Sequence, residues 1–231
     1  GEAALAALPH TRRVGGKPFA VEGLNEHTGH WEPPLAGARY TAFQAGVQLA
    51  NRNGALNDIE FSEFVVKAQA FADVDEANSA IGVALAQHKG ELPDREIDWL
   101  SEIQNRLFDV GADLSLPLAK KYDYEPIRVR EEWVTDLEVK IDAVNENLTK
   151  LDTFVIPGGS LMAAQLHLAR TIIRRSERMV WAAIEEHGID ERGVNPIAAK
   201  YLNRLSDLLF VLARAANGNG TSEKLWKPAN K

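Results

Sequence analysis

The chain has 231 residues, with 26 Lys and Arg against 33 Asp and Glu and a formal net charge of −7. That length supports one large domain, or a domain plus an extension, and buries a core without covalent staples. The acidic balance argues against a general nucleic-acid binder, and the absence of Cys removes disulfides, thiolate metal sites and cysteine nucleophiles while fitting a reducing, cytoplasmic compartment.

No apolar run approaches the ~20 residues that span a bilayer, and Ala3 to Leu8 is too short for a signal-peptide core. Pro9, Pro18, Pro33 and Pro34 fall near the start together with Gly15, Gly16 and Gly29, a composition of loop or extended chain. Leu35 to Arg52 reads as a helix ended by Asn53-Gly54. Residues 1–65 are therefore expected to form a divergent, loop-rich segment, and residues 66–231 a helical domain.

From Asp73 onward the apolar period is helical. Val74, Ala77, Ile81 and Ala84 make one stripe, with Asp73 as its expected N-cap and Lys89-Gly90 as its end. A second helix starts after Pro93, buries Ile97, Leu100, Ile103 or Gln104, Leu107 and Val110, and stops at Pro117. A third is expected from Arg130 to Leu151, with a heptad-like seam through Val134, Leu137, Ile141, Val144, Leu148 and Leu151. Pro157-Gly158-Gly159 breaks the chain. Ser160 then caps a long helix to His187, ended by Gly188. Asn195-Pro196 is an N-cap followed by proline at the first helical position, and that last helix ends near Asn217-Gly218. The fold class this implies is all-α, an antiparallel bundle of five helices.

The fourth helix carries a charged face that its apolar stripe (Leu166, Ala169, Ile173, Ser176, Val180, Ala183) does not explain. His167, Arg170, Arg174 and Glu177 fall within roughly 60° of one another at about 100° per residue, flanked by Arg175 and Arg178. Arginine offers a fixed fork of donors matched to phosphate oxygens. Such a run reads either as a solvated face with internal Arg–Glu pairs or as a polyphosphate clamp in which Glu177 orients an arginine or helps hold a metal on the phosphates. The last helix has a partner face in Asn203, Asp207, Phe210 and Arg214, with Arg204 beside it.

Other chemistries lack their residues. Gly15-Gly16-Lys17-Pro18 is not a Walker loop, because the first Gly is missing and Pro18 replaces the Ser/Thr that holds magnesium. His27 and His30 have no second ligand pair, and Glu185-Glu186-His187 does not repeat as di-iron bundles require. No dedicated protein metal site is expected. Trp133 and Trp181 read as core or subunit contacts.

Four ordered motifs carry a family resemblance: Val74-Asp75-Glu76-Ala77-Asn78-Ser79-Ala80-Ile81-Gly82; Phe154-Val155-Ile156-Pro157-Gly158-Gly159; Leu166-His167-Leu168-Ala169-Arg170-Thr171 with Arg174-Arg175-Ser176-Glu177-Arg178; and Tyr201-Leu202-Asn203-Arg204-Leu205-Ser206-Asp207-Leu208-Leu209-Phe210. From about Lys67 to Trp226 the chain resembles the PduO-type ATP:cob(I)alamin adenosyltransferases. The resemblance implies a homotrimer of five-helix bundles with active sites between subunits. It also implies transfer of the 5′-deoxyadenosyl group of ATP to cob(I)alamin, with magnesium required and triphosphate released. A reductase and an adenosylcobalamin-dependent enzyme are the implied kinds of protein partner, and no nucleic acid or membrane is involved. It assigns Arg170, Arg174, Arg175, Glu177 and Asn203 to ATP, the first two and Glu177 being catalytic. Phe154 and Phe210 go to cobalamin, and Asp75 to a contact across the subunit boundary with Arg170. The family's N-terminal Thr-Gly-Asp-x-Gly-x-Thr loop has no counterpart here, since Thr28-Gly29 is followed by His30-Trp31. A non-catalytic cobalamin carrier of the same fold is therefore the alternative.

Overall fold

The computed structural model describes residues 12–14, 17–19, 23–24, 31–32, 58–118, 122–190 and 193–229, with side chains from residue 69 onward. The chain divides into two compact units, Gly1–Ala68 and Gln69–Lys231. In the first, β1 (Arg12–Val14) pairs antiparallel with β2 (Lys17–Phe19), and β3 (Gly23–Leu24) with β4 (Trp31–Glu32). Two short hairpins thus stand where composition alone suggests loop or extended chain. The expected helix over Leu35 to Arg52, the pair His27 and His30, and Thr28-Gly29 lie outside the described residues.

The rest is helical: α1 (Asp58–Ala86), α2 (Asp94–Ser115), α3 (Glu131–Asn145), α4 (Leu161–His187) and α5 (Pro196–Ala215). Among the described residues no helix is long and apolar enough to cross a membrane. Successive helices run antiparallel, as their paired contacts show. Asn78 on α1 and Gln104 on α2 each donate a side-chain amide to the other's backbone carbonyl at 3.1 Å. Arg106 on α2 meets Asp136 on α3 at 2.6 Å, and Lys140 on α3 reaches back to Glu102 on α2 at 3.4 Å.

The apolar stripes explain why the helices pack this way. On α2, Leu100, Ile103, Leu107 and Val110 are buried, whereas Ile97 is half-buried. On α4 all six stripe residues from Leu166 to Ala183 are buried. The helix α5 has a broad apolar face, with Ala198, Tyr201, Leu202, Leu205, Leu208, Leu209 and Leu212 fully enclosed, and a narrower polar one through Lys200, Asn203, Arg204 and Asp207. An apolar face that broad is covered by several neighbours at once, and α5 packs on α4, α3 and α2.

Two boundaries differ from the sequence reading. Asp73 does not cap α1. It lies in the helix interior, buried, with its carboxylate 3.1 Å from Nε of Arg175 on α4. Nothing in the preceding turns breaks the helix, and a tertiary ion pair takes over from local capping. The helix α3 stops at Asn145, short of Leu148 and Leu151. The chain beyond is captured instead: the Thr149 amide donates to the Asn219 carbonyl at 3.0 Å, and Arg214 Nη2 donates to the Thr149 carbonyl at 2.8 Å. Lys140 on α3 is buried, with Asp136 and Glu102 paired to its ammonium and Trp99 5.7 Å away.

The caps read from sequence for α4 and α5 are present. Ser160 accepts from the Ala163 amide at 3.1 Å, Asn195 accepts from the Ile197 amide at 3.0 Å, and Gly188 ends α4 at φ 75°. Asn195 also donates to the buried Asp113 at 2.6 Å and to the Val129 carbonyl at 2.9 Å. Asp113 accepts further from the Val129 amide at 2.8 Å and from Arg128 at 2.5 Å. This network ties the end of α2 and the segment before α3 to the start of α5.

The start of α4 is clamped to the end of α5. Asn217, buried, accepts from the Ser160 amide at 2.9 Å and donates to the Gly158 carbonyl at 3.0 Å. Gly159 has φ 98°, and a Cβ there would lie 2.1 Å from Asn217 Oδ1. Gly90 has φ 92° but open space around it. Gly90→Ala should therefore cost only the left-handed backbone term, about 1–2 kcal/mol. Gly159→Ala should add overpacking, for roughly 2–5 kcal/mol. Chemical denaturation of both variants checks this, and equal losses would mean Asn217 moves aside freely.

Candidate active site

The site grows from the register of α4 on α5. Glu177, buried on α4, accepts from Asn203 Nδ2 on α5 at 2.9 Å. Its other carboxylate oxygen stands 3.7 Å from Arg174 Nη1, one turn back along α4. Arg174 itself is exposed, so its guanidinium is tethered at one edge and open to a ligand. Another turn back, the Arg170 guanidinium carbon lies 5.9 Å from the centre of the Phe210 ring, a cation–π distance. The spacing on each helix thus becomes a single face. Arg170, Arg174, Glu177, Asn203 and Phe210 all lie along the α4–α5 seam.

That face is electrically unbalanced. Among the described residues Arg170 Nε is buried with no hydrogen-bond partner. Burial, and then the neighbouring Arg174 charge, lower the Arg170 pKa from the usual arginine value. Two arginines one turn apart, with a single buried carboxylate between them and α5, favour an anion. Beyond Glu177 the seam opens into a cleft of about 310 Å³ between α3, α4 and α5, lined by Val134, Glu138, Glu177, Trp181, Ala199, Lys200, Asn203 and Arg204. Among the described residues no cluster of three or more His, Asp or Glu side chains is placed to hold a metal ion.

The other sequence candidates sit elsewhere. Arg175 points to α1, with Nε 3.1 Å from Asp73 and Nη2 2.5 Å from Glu76. Asp75 is exposed on α1. Arg214, which spacing alone puts on the Asn203 face, is buried against Glu223, with Nε 3.0 Å from Oε1 and 3.1 Å from Oε2. Phe154 lies before α4 and is 75% exposed. Its carbonyl accepts from the Trp226 amide at 2.8 Å, the Ile156 amide donates to the Lys224 carbonyl at 2.8 Å, and the Phe154 and Trp226 rings meet edge-on at 5.9 Å. Chain pairing between the tail and the segment before α4 therefore presents Phe154 with a second aromatic. No local signal joins those two residues. Trp181, which the sequence reads as a core or subunit contact, is exposed in this chain and lines the cleft beside Glu177, as does Arg204.

His167 is 2% exposed, its ring is 6.1 Å from Phe210, and among the described residues neither ring nitrogen has a hydrogen-bond partner. Burial, and then the Arg170 charge, push its pKa down to about 4. The folded protein keeps it neutral, while the unfolded chain binds a proton near pH 6.5. The unfolded state therefore holds more protons between about pH 4 and 6.5, and stability falls as pH drops through that window. His167→Phe should flatten this part of the stability–pH curve; an unchanged slope in urea titrations would rule out His167 as its source.

The chain matches the family model described as cobalamin adenosyltransferase over residues 62–216. It is 51% identical over 160 residues to the corrinoid adenosyltransferase of Mycobacterium tuberculosis, covering 69% of this chain and 79% of that protein. It is 41% identical over 154 residues to the Bacillus subtilis corrinoid adenosyltransferase, covering 66% and 75%. The fold resembles a variant PduO-type ATP:corrinoid adenosyltransferase from Lactobacillus reuteri, solved with cobalamin and ATP. That likeness has a TM-score of 0.62 and 31% identity, and it covers 71% of this chain and 87% of that one. The matched span contains α2 to α5 entire, including every residue of the α4–α5 seam, and on those grounds the chain belongs to the cobalamin adenosyltransferase family.

Proposed function

We propose that the protein transfers the 5′-deoxyadenosyl group of ATP to cob(I)alamin, giving adenosylcobalamin and triphosphate. The observation that carries this reading is the Arg174–Glu177–Asn203 constellation beside Arg170 and Phe210, in a span of 160 residues that is 51% identical to a corrinoid adenosyltransferase. In the reaction the cobalt(I) electron pair attacks the ribose C5′ and forms the Co–C bond. The C5′–O bond breaks, and its electron pair leaves on the triphosphate. The nucleophile belongs to the corrinoid, so the protein needs no serine, cysteine or general base. Its work is to hold C5′ in line with cobalt and to stabilise the charge that develops on the leaving group.

Arg174 suits that charge, because its fork is exposed and only loosely held by Glu177. Arg170 sets a second positive charge one turn away, while Arg175 keeps its guanidinium on Asp73 and Glu76 and so braces α1 against the helix that carries the other two. Asn203 holds Glu177 in place. Phe154 and Phe210 supply apolar surface for the corrin. Glu177 is the residue that would face magnesium brought in with ATP, a single carboxylate being too few ligands for a dedicated protein cage, and the ion would serve to neutralise phosphate charge. The working form is a homotrimer in which Asp75 of a neighbouring copy meets Arg170, and it acts in the cytoplasm, where a reductase supplies cob(I)alamin and an adenosylcobalamin-dependent enzyme takes the product.

Anaerobic absorbance spectroscopy with chemically reduced cobalamin, ATP and magnesium tests the reading. Appearance of the cobalt–carbon product is expected. Tight cobalamin binding without product would favour a non-catalytic carrier, and no binding of either ligand would sink both. Arg174→Ala should lower kcat by roughly 10²- to 10³-fold with helix content unchanged by circular dichroism. Arg174→Lys should fall between, because an ammonium cannot reproduce the two-pronged contact.

A further inference from the structure

A line of polar contacts runs across the seam and on past the residues so far given a role. Arg204 Nη2 is 2.9 Å from Asp207 Oδ2 and donates to Asn203 Oδ1 at 2.6 Å. Asn203 Nδ2 donates to Glu177 Oε1 at 2.9 Å, and Glu177 Oε2 faces Arg174 Nη1 at 3.7 Å. The polarity of every link follows from chemistry. A guanidinium only donates, an ionised carboxylate only accepts, and a primary amide accepts at one end and donates at the other. Reversed, Asn203 would aim its NH2 at Arg204 donors and its carbonyl at the Glu177 carboxylate, with both contacts repulsive. The donor-only group on one side and the acceptor-only group on the other leave one orientation.

We propose that Arg204, itself held by Asp207, is a positioning residue that locks the Asn203 amide and thereby holds the Glu177 carboxylate that steers Arg174. Arg204 and Glu177 line the same cleft, so the lock is set from the cleft side of the seam, with Arg174 on the far side of Glu177. The Arg204 side chain is 38% exposed and the Asp207 side chain 45%, so the pair contributes little to the core, and its loss acts on geometry rather than on folding. The catalytic consequence rests on the adenosyltransferase reading; the locked amide does not.

The test uses the full chain, unligated and in turnover. In ¹⁵N spectra the Asn203 side-chain amide pair, assigned by its loss in Asn203→Ser, should exchange slowly with water in the native protein and quickly in Arg204→Met. In the assay Arg204→Met should lower kcat roughly 10- to 100-fold, with KM for ATP changing less than about threefold and the melting temperature retained. Arg204→Lys keeps a donor toward Asn203 and should recover most of kcat. Several results would overturn the assignment. A raised KM at constant kcat would make Arg204 a direct nucleotide contact. Unaltered amide exchange in Arg204→Met would mean no lock, and a freed amide with unaltered kcat would mean no positioning role. If the native chain makes no adenosylcobalamin, the functional reading fails by itself and the amide comparison still decides whether the lock exists.

Discussion

The register of α4 against α5 is the constraint on which the rest depends. It is pinned where α4 begins, by Asn217 holding the Ser160 amide and the Gly158 carbonyl, and again in mid-helix by the Glu177–Asn203 bond. These contacts are consistent with one antiparallel alignment, and Phe210 beside Arg170 fits the same alignment. A slip of one residue rotates a helical face by about 100°. It would turn Arg174 away from Glu177 and expose part of the α4 apolar stripe. The apolar packing of α5 supplies the adhesion, which is non-directional and proportional to buried area. The polar pins supply the register, because hydrogen bonds tolerate little misalignment.

The seam also shows where stability and function oppose one another. A structure built for stability alone would not bury Glu177, enclose His167 with both nitrogens unpartnered, or leave Arg170 Nε unpaired. Each of these costs desolvation free energy that apolar residues of similar size would avoid. All three lie on one face of α4, whereas two other buried charges, Asp113 and Arg214, are fully engaged. Asp113 accepts from three donors, and Arg214 is paired with Glu223 and bonded to the Thr149 carbonyl. Unpartnered buried atoms occur elsewhere among the described residues, Glu96 Oε2 on α2 and the Tyr201 hydroxyl on α5 included, so what marks the α4 face as a ligand-binding one is their combination with two arginines one turn apart.

The helices were legible because their signals are local and redundant. The α4 stripe, the Ser160 and Asn195 caps and the Gly188 stop each arise within a few residues, and all agree. Reading failed where distant residues outcompete local preference. Asp73 is a good cap by type, but Arg175, about a hundred positions away, draws its carboxylate into the helix interior. The α3 seam has its apolar period through Leu151, yet Arg214 and Asn219 take the chain at Thr149 and end the helix early. The two hairpins near the start depend on pairing between strands of only two or three residues, too short for a period to show.

The sequence by itself determined the helical class, most helix termini, the apolar stripes and the charged α4 face, because a repeat of 3.6 residues and the chemistry of caps are properties of neighbouring residues. It also carried the family motifs, which hold the site residues at fixed spacing along two helices. Tertiary structure alone decided which arginines are open to a ligand and which are spent on structure. Arg174 and Arg175 are adjacent and chemically identical. One faces the seam beside Glu177, and the other is tied to Asp73 and Glu76. The difference is a rotation of about 100° around one helix axis, and its meaning depends on what lies across from each face.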